Sequence, residues 1–142
     1  MQIDRSASAV WSGGLKSGRG AISTQSGALA NLPYGFASRF EGQPGTNPEE
    51  LIGAAHAGCF TMQLSAMLEK AGHPAEKLET KAVVRLESEG SGFTISYVKL
   101  TLTGKVPGMD AATFQRIAGE AKANCPVSKL LKADVSLEAK LG

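Results

Sequence analysis

The sequence has few residues of the kinds that are typical of a disulfide scaffold, a zinc site or a nucleic-acid surface. It contains two cysteines, two histidines and 6% aromatic residues in a chain of 142 residues. No CxxC pair is present. Because a closed zinc site has four ligands, such a site within one chain would need both cysteines and both histidines. The formal net charge is only +2, which provides no basic stripe. We therefore expect no metal site and no nucleic-acid partner.

Long hydrophobic runs free of charge are also missing. The most apolar stretch, residues 51–68, is flanked by Glu50 and Glu69 and is short for a membrane span, which needs about 20 apolar residues. The opening MQIDRSASAVWSGG carries charges and no continuous apolar run, so a secretory signal is not expected. We expect a cytoplasmic protein without a membrane partner, in which cysteines are more often redox-active or inert than joined in structural disulfides.

The secondary-structure pattern fits one domain over residues 1–142. The predicted order is βββ-α-ββ-αα-β, with hairpins and no βαβ spacing, which indicates an α+β fold of mainly antiparallel sheet. In the segment Gly92–Val106 the alternation of apolar residues moves to the other face of the strand near Tyr97, which predicts a bulge there. The predicted elements are strands over Ala7–Trp11, Arg19–Thr24 and Phe36–Phe40, a helix over Pro48–Lys70, strands over Glu79–Glu87 and Gly92–Val106, helices over Ala111–Ala123 and 126–132, and a strand over Ala133–Leu141.

The long central helix has a well-defined beginning and end in the sequence. Asn47 is a strong N-cap, Pro48 suits the first helical position, and Glu50 completes a capping box. Glu49 has no capping role, although a negative charge is favourable in the first turn. Gly72 suits the C-terminal cap. Asp110 is predicted to be the N-cap of the next helix, Ala111–Ala123.

The segment NPEELIGAAHAGCFTMQLSAML is apolar on almost every side of a helix. A helix with this pattern is buried, and an α+β domain of this size has few layers with which to surround it. Small residues over 53–58 permit close approach of another backbone. We therefore expect the helix to pack against its copy in a homodimer, since a two-fold dimer is the commonest assembly.

Two cysteines are candidate reactive thiols. Cys59 lies in the middle of the central helix, with His56 on the same face three residues earlier, so a Cys–His pair is possible. A histidine satisfied within the core or an interface is the simpler interpretation of His56, and most buried cysteines are inert. Cys125 precedes Pro126 at a predicted helix start, where its pKa should fall. The residues alone leave both thiols open and slightly favour Cys125 as the thiolate.

The segments RFEGQPGTNPEELIGAAHAGCF and NCPVSKLL, together with the opening SGGLKSGRG and the PYGF segment, resemble the OsmC/Ohr family of thiol-dependent hydroperoxide peroxidases, and its osmotically inducible branch in particular. The resemblance covers essentially the whole chain. It implies an intertwined homodimer with sheets around a long buried helix, and a peroxidase without metal, haem, flavin or other cofactor.

The resemblance implies a role for each cysteine. Cys59 would be the peroxidatic residue, which attacks an organic hydroperoxide, or more weakly hydrogen peroxide, and becomes a sulfenic acid. Cys125 would be the resolving residue, which condenses with Cys59 in a disulfide. A dithiol such as dihydrolipoamide or a lipoylated protein would then reduce that disulfide. His56 has no role by resemblance, because relatives place tyrosine there.

The resemblance also implies an arginine and a glutamate that activate the peroxidatic thiol. Glu49 matches the glutamate, and Arg39 matches the arginine of this branch, with Arg19 as a weaker alternative. Ten residues separate Glu49 from Cys59, which is about 15 Å along a continuous helix. We therefore expect Glu49 to act on the partner subunit's thiol, unless the helix is broken near Gly53.

A non-redox function is the alternative. A long buried helix wrapped by antiparallel sheet also describes hot-dog domains, which would imply a binding or thioesterase module. A stress protein with incidental thiols is a third possibility. Both alternatives leave the two cysteine motifs unexplained.

Overall fold

The computed structural model describes residues 1–142 and divides them into two compact units, Met1–Leu51 and Ile52–Gly142. That they act as the single domain expected from the sequence stays a prediction. The predicted α+β class is confirmed, with two three-stranded sheets and four helices.

The N-terminal unit is an antiparallel sheet followed by a short helix. Its elements are β1 (Ala7–Ser12), β2 (Arg19–Thr24), β3 (Leu32–Tyr34) and α1 (Phe36–Phe40). Strand β2 lies in the middle of the sheet and pairs with both neighbours. None of the unit's residues is buried, so it has no core of its own.

The prediction of a strand over Phe36–Phe40 is wrong, because these residues form α1 and the third strand lies just before them. The Gly35 N–H donates to Ser38 Oγ over 2.9 Å, which satisfies a backbone donor at the helix start. The rings of Phe36 and Phe40 lie 4.9 Å apart, as side chains four residues apart on a helix do. A segment of five residues is too short for the spacing of its apolar side chains to distinguish a strand from a helix.

The remaining elements run from the long helix to the C-terminus. They are α2 (Pro48–Lys70), β4 (Lys77–Glu89), β5 (Gly92–Lys105), α3 (Ala111–Asn124), α4 (Pro126–Leu130) and β6 (Asp134–Leu141). The order is βββ-αα-ββ-αα-β, which differs from the predicted order only by α1.

The second sheet contains one antiparallel and one parallel pair. β4 and β5 form the predicted hairpin, and its register shifts where Arg85 pairs with Tyr97 and Leu86 pairs with Ile95. Ser96 is the extra residue, so the predicted bulge is confirmed. β6 pairs with β5 in parallel, which the sequence reading did not anticipate. The helices α3 and α4 supply the crossover that a parallel pair requires.

The core of the C-terminal unit forms where α2, β5 and α3 meet. Its fully buried large side chains include Phe60, Leu64 and Leu68 of α2, Leu100 and Leu102 of β5, and Phe114 of α3. By length and composition Pro48–Lys70 could cross a membrane, with a mean hydropathy of 1.3. Its packing against a sheet and a helix is instead that of a core helix in a small soluble α+β fold.

Burial of α2 on all sides is not found within one chain. A single stripe of α2 is buried, and its members are Gly53, His56, Phe60, Leu64 and Leu68. The opposite face is exposed and consists mostly of small residues, namely Ala54, Ala55, Gly58, Met62, Ser65 and Ala66. Met62 is 76% exposed. One subunit therefore leaves an apolar helix face uncovered.

The predicted helix ends are confirmed. Gly72 has φ +83°, and the His73 N–H donates to the Leu68 carbonyl over 2.9 Å, as in a Schellman cap. Asp110 accepts the Thr113 N–H over 2.9 Å at the start of α3, which is an N-cap bond.

Candidate active site

The structure brings the two predicted thiols together in the C-terminal unit. Cys59 lies on α2 and is half-buried, whereas Cys125 joins α3 to α4 and is fully buried. Both are free, and the side chain of each is a hydrogen-bonding neighbour of the other. The arrangement places two oxidisable sulfurs side by side at the edge of the core.

The two thiols differ in acidity. Burial raises the pKa of Cys59, and the Cys125 side chain raises it further, against a smaller opposing effect of the Val127 N–H. Burial also disfavours the Cys125 thiolate, but Cys59, the Ser128 N–H and hydroxyl, and the Val127 N–H together bring the Cys125 pKa below its usual value. Within one chain Cys125 is therefore the better thiolate, as its sequence position indicates.

His56 lies behind the thiol pair and contacts a serine. Its Nε2 atom is 2.7 Å from Ser128 Oγ, while Nδ1 is buried without a hydrogen-bond partner. Burial lowers the pKa of His56, so the ring is neutral at physiological pH. The His56 partner is thus Ser128, and the Cys59–His56 pair left open by the sequence does not form.

Arg39 and Glu49 form an ion pair in the N-terminal unit. Arg39 Nη2 lies 2.6 Å from Glu49 Oε1, and Arg39 Nε lies 3.2 Å from both carboxylate oxygens. Arg39 follows the first turn of α1, and Glu49 lies in the first turn of α2. The weaker alternative, Arg19, is the first residue of β2. The four predicted site residues thus form two pairs, each inside its own unit.

Glu50 has the capping role that the sequence assigned to it. Its N–H donates to Asn47 Oδ1 over 2.8 Å, and its carboxylate accepts a hydrogen bond from the Asn47 side-chain amide. The second bond goes to the side chain and not to the N-cap backbone, as it would in a standard capping box. Because Glu50 makes the capping hydrogen bonds at the start of the helix, the Glu49 side chain is available to bind Arg39.

An aromatic cleft of about 190 Å³ adjoins Arg39 in the N-terminal unit. Its apolar lining consists of Trp11, Leu15, Tyr34, Phe36 and Phe40. Arg39 is the charged residue in this lining, and its guanidinium lies 5.4 Å from the Phe40 ring centre. Such a cleft suits an apolar molecule with one polar end.

Sequence reasoning missed the aromatic cleft and the role of Ser128. Ser128 lies three residues after Cys125, a spacing that puts the two side chains on one helical turn. That spacing was the available signal. The cleft gave no signal, since its residues come from β1, the loop after it, β3 and α1.

No group of three or more histidine, cysteine, aspartate or glutamate side chains in the structure could hold a metal ion.

Comparison with known proteins gives one consistent result. The sequence profile described as "OsmC-like protein" matches residues 40–140. The chain is 50% identical over 141 residues to Peroxiredoxin OsmC of Escherichia coli, covering 99% of both chains. It is similar to the crystal structure of the organic hydroperoxide resistance protein OhrB of Bacillus subtilis, with a TM-score of 0.68, 27% identity, and coverage of 96% of this chain and 98% of the other.

An OsmC-like protein of unknown function from Vibrio cholerae has the same fold, with a TM-score of 0.76 at 16% identity, and covers 97% of this chain and 99% of its own. The match along the sequence and the match along the fold extend over both units. The chain therefore belongs to the OsmC family, as its cysteine motifs predict.

Proposed function

We propose that this protein is a peroxidase that reduces organic hydroperoxides with the thiols of Cys59 and Cys125. The observation that carries the proposal is the contact between two free thiols, one half-buried and one fully buried. The relatives named for peroxiredoxin activity and for organic hydroperoxide resistance support the same chemistry. A non-redox binding module would leave this contact unexplained.

The reaction has three steps. The Cys59 thiolate attacks the O–O bond, the alcohol leaves, and Cys59 becomes a sulfenic acid. Cys125 then attacks the Cys59 sulfur, which forms the disulfide and releases water. A dithiol finally reduces the disulfide by exchange and is itself oxidised to a disulfide. No cofactor is needed in any step.

The raised pKa of Cys59 disfavours the attacking thiolate, and a positive group near the peroxidatic sulfur would offset this effect. We propose that Arg39 supplies this group, held in orientation by the two-point contact with Glu49. The guanidinium would stabilise the thiolate and polarise the peroxide oxygen. Glu49 and Cys59 lie on one unbroken helix, about 15 Å apart along its axis, so the pair is proposed to act on the partner's thiol.

Two features of the single chain support a homodimer. The face of α2 from Ala54 to Ala66 is apolar, thin and exposed, and the N-terminal unit has no buried residue. Large exposed apolar surfaces of this kind mark association sites. Packing of two copies through α2 would cover the helix and would bring an N-terminal unit of one copy to the thiols of the other.

An apolar substrate is supported by the aromatic cleft beside Arg39 and by the apolar neighbours of Cys59 on α2. The hydrocarbon part of an alkyl hydroperoxide would occupy the apolar surface while its peroxide group faces the guanidinium. Hydrogen peroxide lacks that apolar part and would react more slowly.

The proposed reductant is a dithiol, dihydrolipoamide or a lipoylated protein, in a compartment that keeps thiols reduced, such as the cytoplasm. Turnover of cumene hydroperoxide is measured with dihydrolipoamide, and then with thioredoxin, as the only reductant. Sustained turnover with dihydrolipoamide and faster reaction with cumene hydroperoxide than with hydrogen peroxide are expected. Absence of turnover with every dithiol would reject the proposed function.

A further inference from the structure

The His56–Ser128 contact is a buried polar arrangement next to the thiols that the three-step reaction does not use. His56 lies on α2, Ser128 lies on α4, and Nε2 and Oγ are 2.7 Å apart. The imidazole is fully buried in a largely apolar core. Burying a polar side chain there is costly unless its polar atoms are hydrogen-bonded, and His56 Nδ1 has no hydrogen-bond partner.

We propose that His56 is a positioning residue for the resolving thiol: its Nε2–H donates to Ser128 Oγ and so directs the Ser128 hydroxyl proton to the sulfur of Cys125. The inference rests on the proposed function, since it concerns the second and third steps of that reaction. Ser128 would contact the reacting sulfur directly, and His56 would act through Ser128.

The tautomer of His56 decides the direction of this chain of hydrogen bonds. A neutral imidazole carries one N–H. If the proton were on Nδ1, it would be buried without an acceptor, and buried unpaired N–H groups are rarer than unpaired acceptors. The Ser128 hydroxyl would also have to donate to Nε2, which would leave no proton for Cys125. With the proton on Nε2, the unpaired Nδ1 atom is an acceptor and not an N–H, and the Ser128 proton remains available to Cys125.

The surroundings of Cys125 agree with a donor at Ser128. The Ser128 hydroxyl is among the groups that favour the Cys125 thiolate. The Cys125 side chain itself makes no capping hydrogen bond to α4. The other titratable group at the sulfur is Cys59 of α2. Lys129 of α4 is exposed, and Lys122 of α3 donates to the Val135 carbonyl over 3.2 Å. Neither lysine is needed to explain the stabilised thiolate.

The stabilised thiolate serves two steps. In resolution, the Cys125 thiolate attacks the Cys59 sulfur, the S–S bond forms as the S–O bond breaks, and hydroxide leaves and becomes water with the proton that Cys125 lost. In reduction, a thiolate of the dithiol attacks Cys59, and Cys125 leaves with the electron pair of the S–S bond. The Ser128 hydroxyl bonds the sulfur while it is negative in both steps.

The test separates the steps by single-turnover kinetics. Reduced protein is mixed with one equivalent of cumene hydroperoxide, and peroxide loss and Cys59–Cys125 disulfide formation are followed separately across pH. The variants are Ser128→Ala, His56→Phe and both together, with His73→Phe as the matched control. His73 is the other histidine, and its ring lies away from the thiols, with Nδ1 3.3 Å from the Pro107 carbonyl oxygen.

Peroxide loss is not expected to slow in any variant, because the changes at Ser128 and His56 act on Cys125, whose side chain adds to the effect of burial in raising the pKa of Cys59. Disulfide formation at neutral pH should slow about two- to tenfold in Ser128→Ala and in His56→Phe, the range for one hydrogen bond, with its pH midpoint moved upward. The double variant should be no slower than Ser128→Ala, because both changes act on the same hydrogen bond from Ser128 to Cys125. A normal rate and pH midpoint in Ser128→Ala, or additive losses in the double variant, would overturn the inference.

Since His56 is fully buried, its replacement risks misfolding, so the tautomer is also measured on the unmodified protein. The ¹⁵N chemical shifts of the imidazole should report a neutral ring protonated at Nε2. A ring protonated at Nδ1 would overturn the inference. If wild-type protein neither consumes the peroxide nor forms the disulfide, the proposed function itself fails, which is a distinguishable result.

Discussion

Arg39 binds the Glu49 carboxylate through two guanidinium nitrogens, with Nη2 2.6 Å and Nε 3.2 Å from Oε1. The Glu49 side chain is only 12% exposed and that of Arg39 is 35% exposed, so the pair is partly shielded from water. A fork of this kind fixes the direction of the guanidinium as well as its position. The remaining nitrogen, Nη1, is thereby held in a defined direction for another negative group.

Replacing either member of this pair should slow the peroxidatic step. Glu49→Gln and Arg39→Lys are expected to reduce the second-order rate constant for cumene hydroperoxide about tenfold or more, because a hydrogen bond to a charged group contributes about 1.5–3 kcal/mol. Stopped-flow measurement of peroxide loss provides the rate. Glu50→Gln and Arg19→Lys are the matched controls and should react normally. A larger loss in Arg19→Lys than in Arg39→Lys would transfer the activating role to Arg19.

The two cysteines should have different phenotypes. Cys59→Ser is expected to abolish peroxide turnover, since it removes the attacking sulfur. Cys125→Ser should consume one equivalent of peroxide and then stop, with a sulfenic acid that dimedone labels on Cys59. Steady-state turnover and mass spectrometry measure both outcomes. Unchanged multiple turnover in Cys59→Ser would contradict the assignment.

Mixed dimers test whether Glu49 acts on the partner subunit. Glu49→Ala and Cys59→Ser homodimers should each be severely impaired, whereas heterodimers should regain about one working site, because one site then has both groups intact. Differently tagged subunits are purified together and assayed for turnover. No recovery in verified heterodimers would show that the shared-site arrangement is wrong.

Gly58 provides a steric test of the proposed interface. A Cβ atom added at Gly58 meets no atom within 4 Å in the single chain, so a larger side chain there is tolerated by the subunit itself. Gly58→Leu is expected to weaken dimerisation at least tenfold, because it pushes the two helices apart. Sedimentation at several protein concentrations measures the dissociation constant. Gly119→Leu, also a helical glycine with open space, is the control and should dimerise normally.

The lowered pKa of His56 predicts a pH dependence of stability. The unfolded chain has a histidine pKa near 6.5, and the folded value is lower, so the unfolded state binds more protons in the interval between them. The contribution of neutral His56 is fully present above pH 6.5 and is lost as the pH falls through this interval.

Urea unfolding between about pH 7 and pH 5, at one protein concentration, measures this effect. His56→Gln should have a shallower fall of the unfolding free energy than wild type over that interval. His73→Gln is measured alongside as the variant of the other histidine. An identical slope in His56→Gln and wild type would contradict the assigned protonation state.

The sequence predicted those parts of the fold that depend on local signals. The caps at Asn47, Gly72 and Asp110 and the bulge opposite Arg85 follow from side-chain chemistry and apolar phase over a few residues. The strand placed over Phe36–Phe40 is wrong because a segment of five residues is too short for its apolar period to distinguish a strand from a helix. The parallel partner of β5 was missed because strand pairing across a crossover has no local signature.

The site was predictable to a similar degree. Capping chemistry separated Glu49 from Glu50, and the start of α4 identified Cys125 as the more acidic thiol. The choice of Cys59 as the attacking sulfur came from family resemblance, not from its own surroundings, which raise its pKa. The contact of His56 with Ser128 joins residues 72 positions apart, and only the folded chain reveals it.

The parallel pairing of β6 with β5 has a consequence for biosynthesis. β6 follows Cys125 in the chain, yet it lies beside a strand that precedes it, with Val135 paired to Val98. A ribosome therefore releases both cysteines before the strand that completes this sheet. Until β6 pairs, nothing in the sheet anchors the far end of the crossover that carries Cys125. The nascent chain thus contains both thiols before its last strand, β6, closes the crossover that carries Cys125.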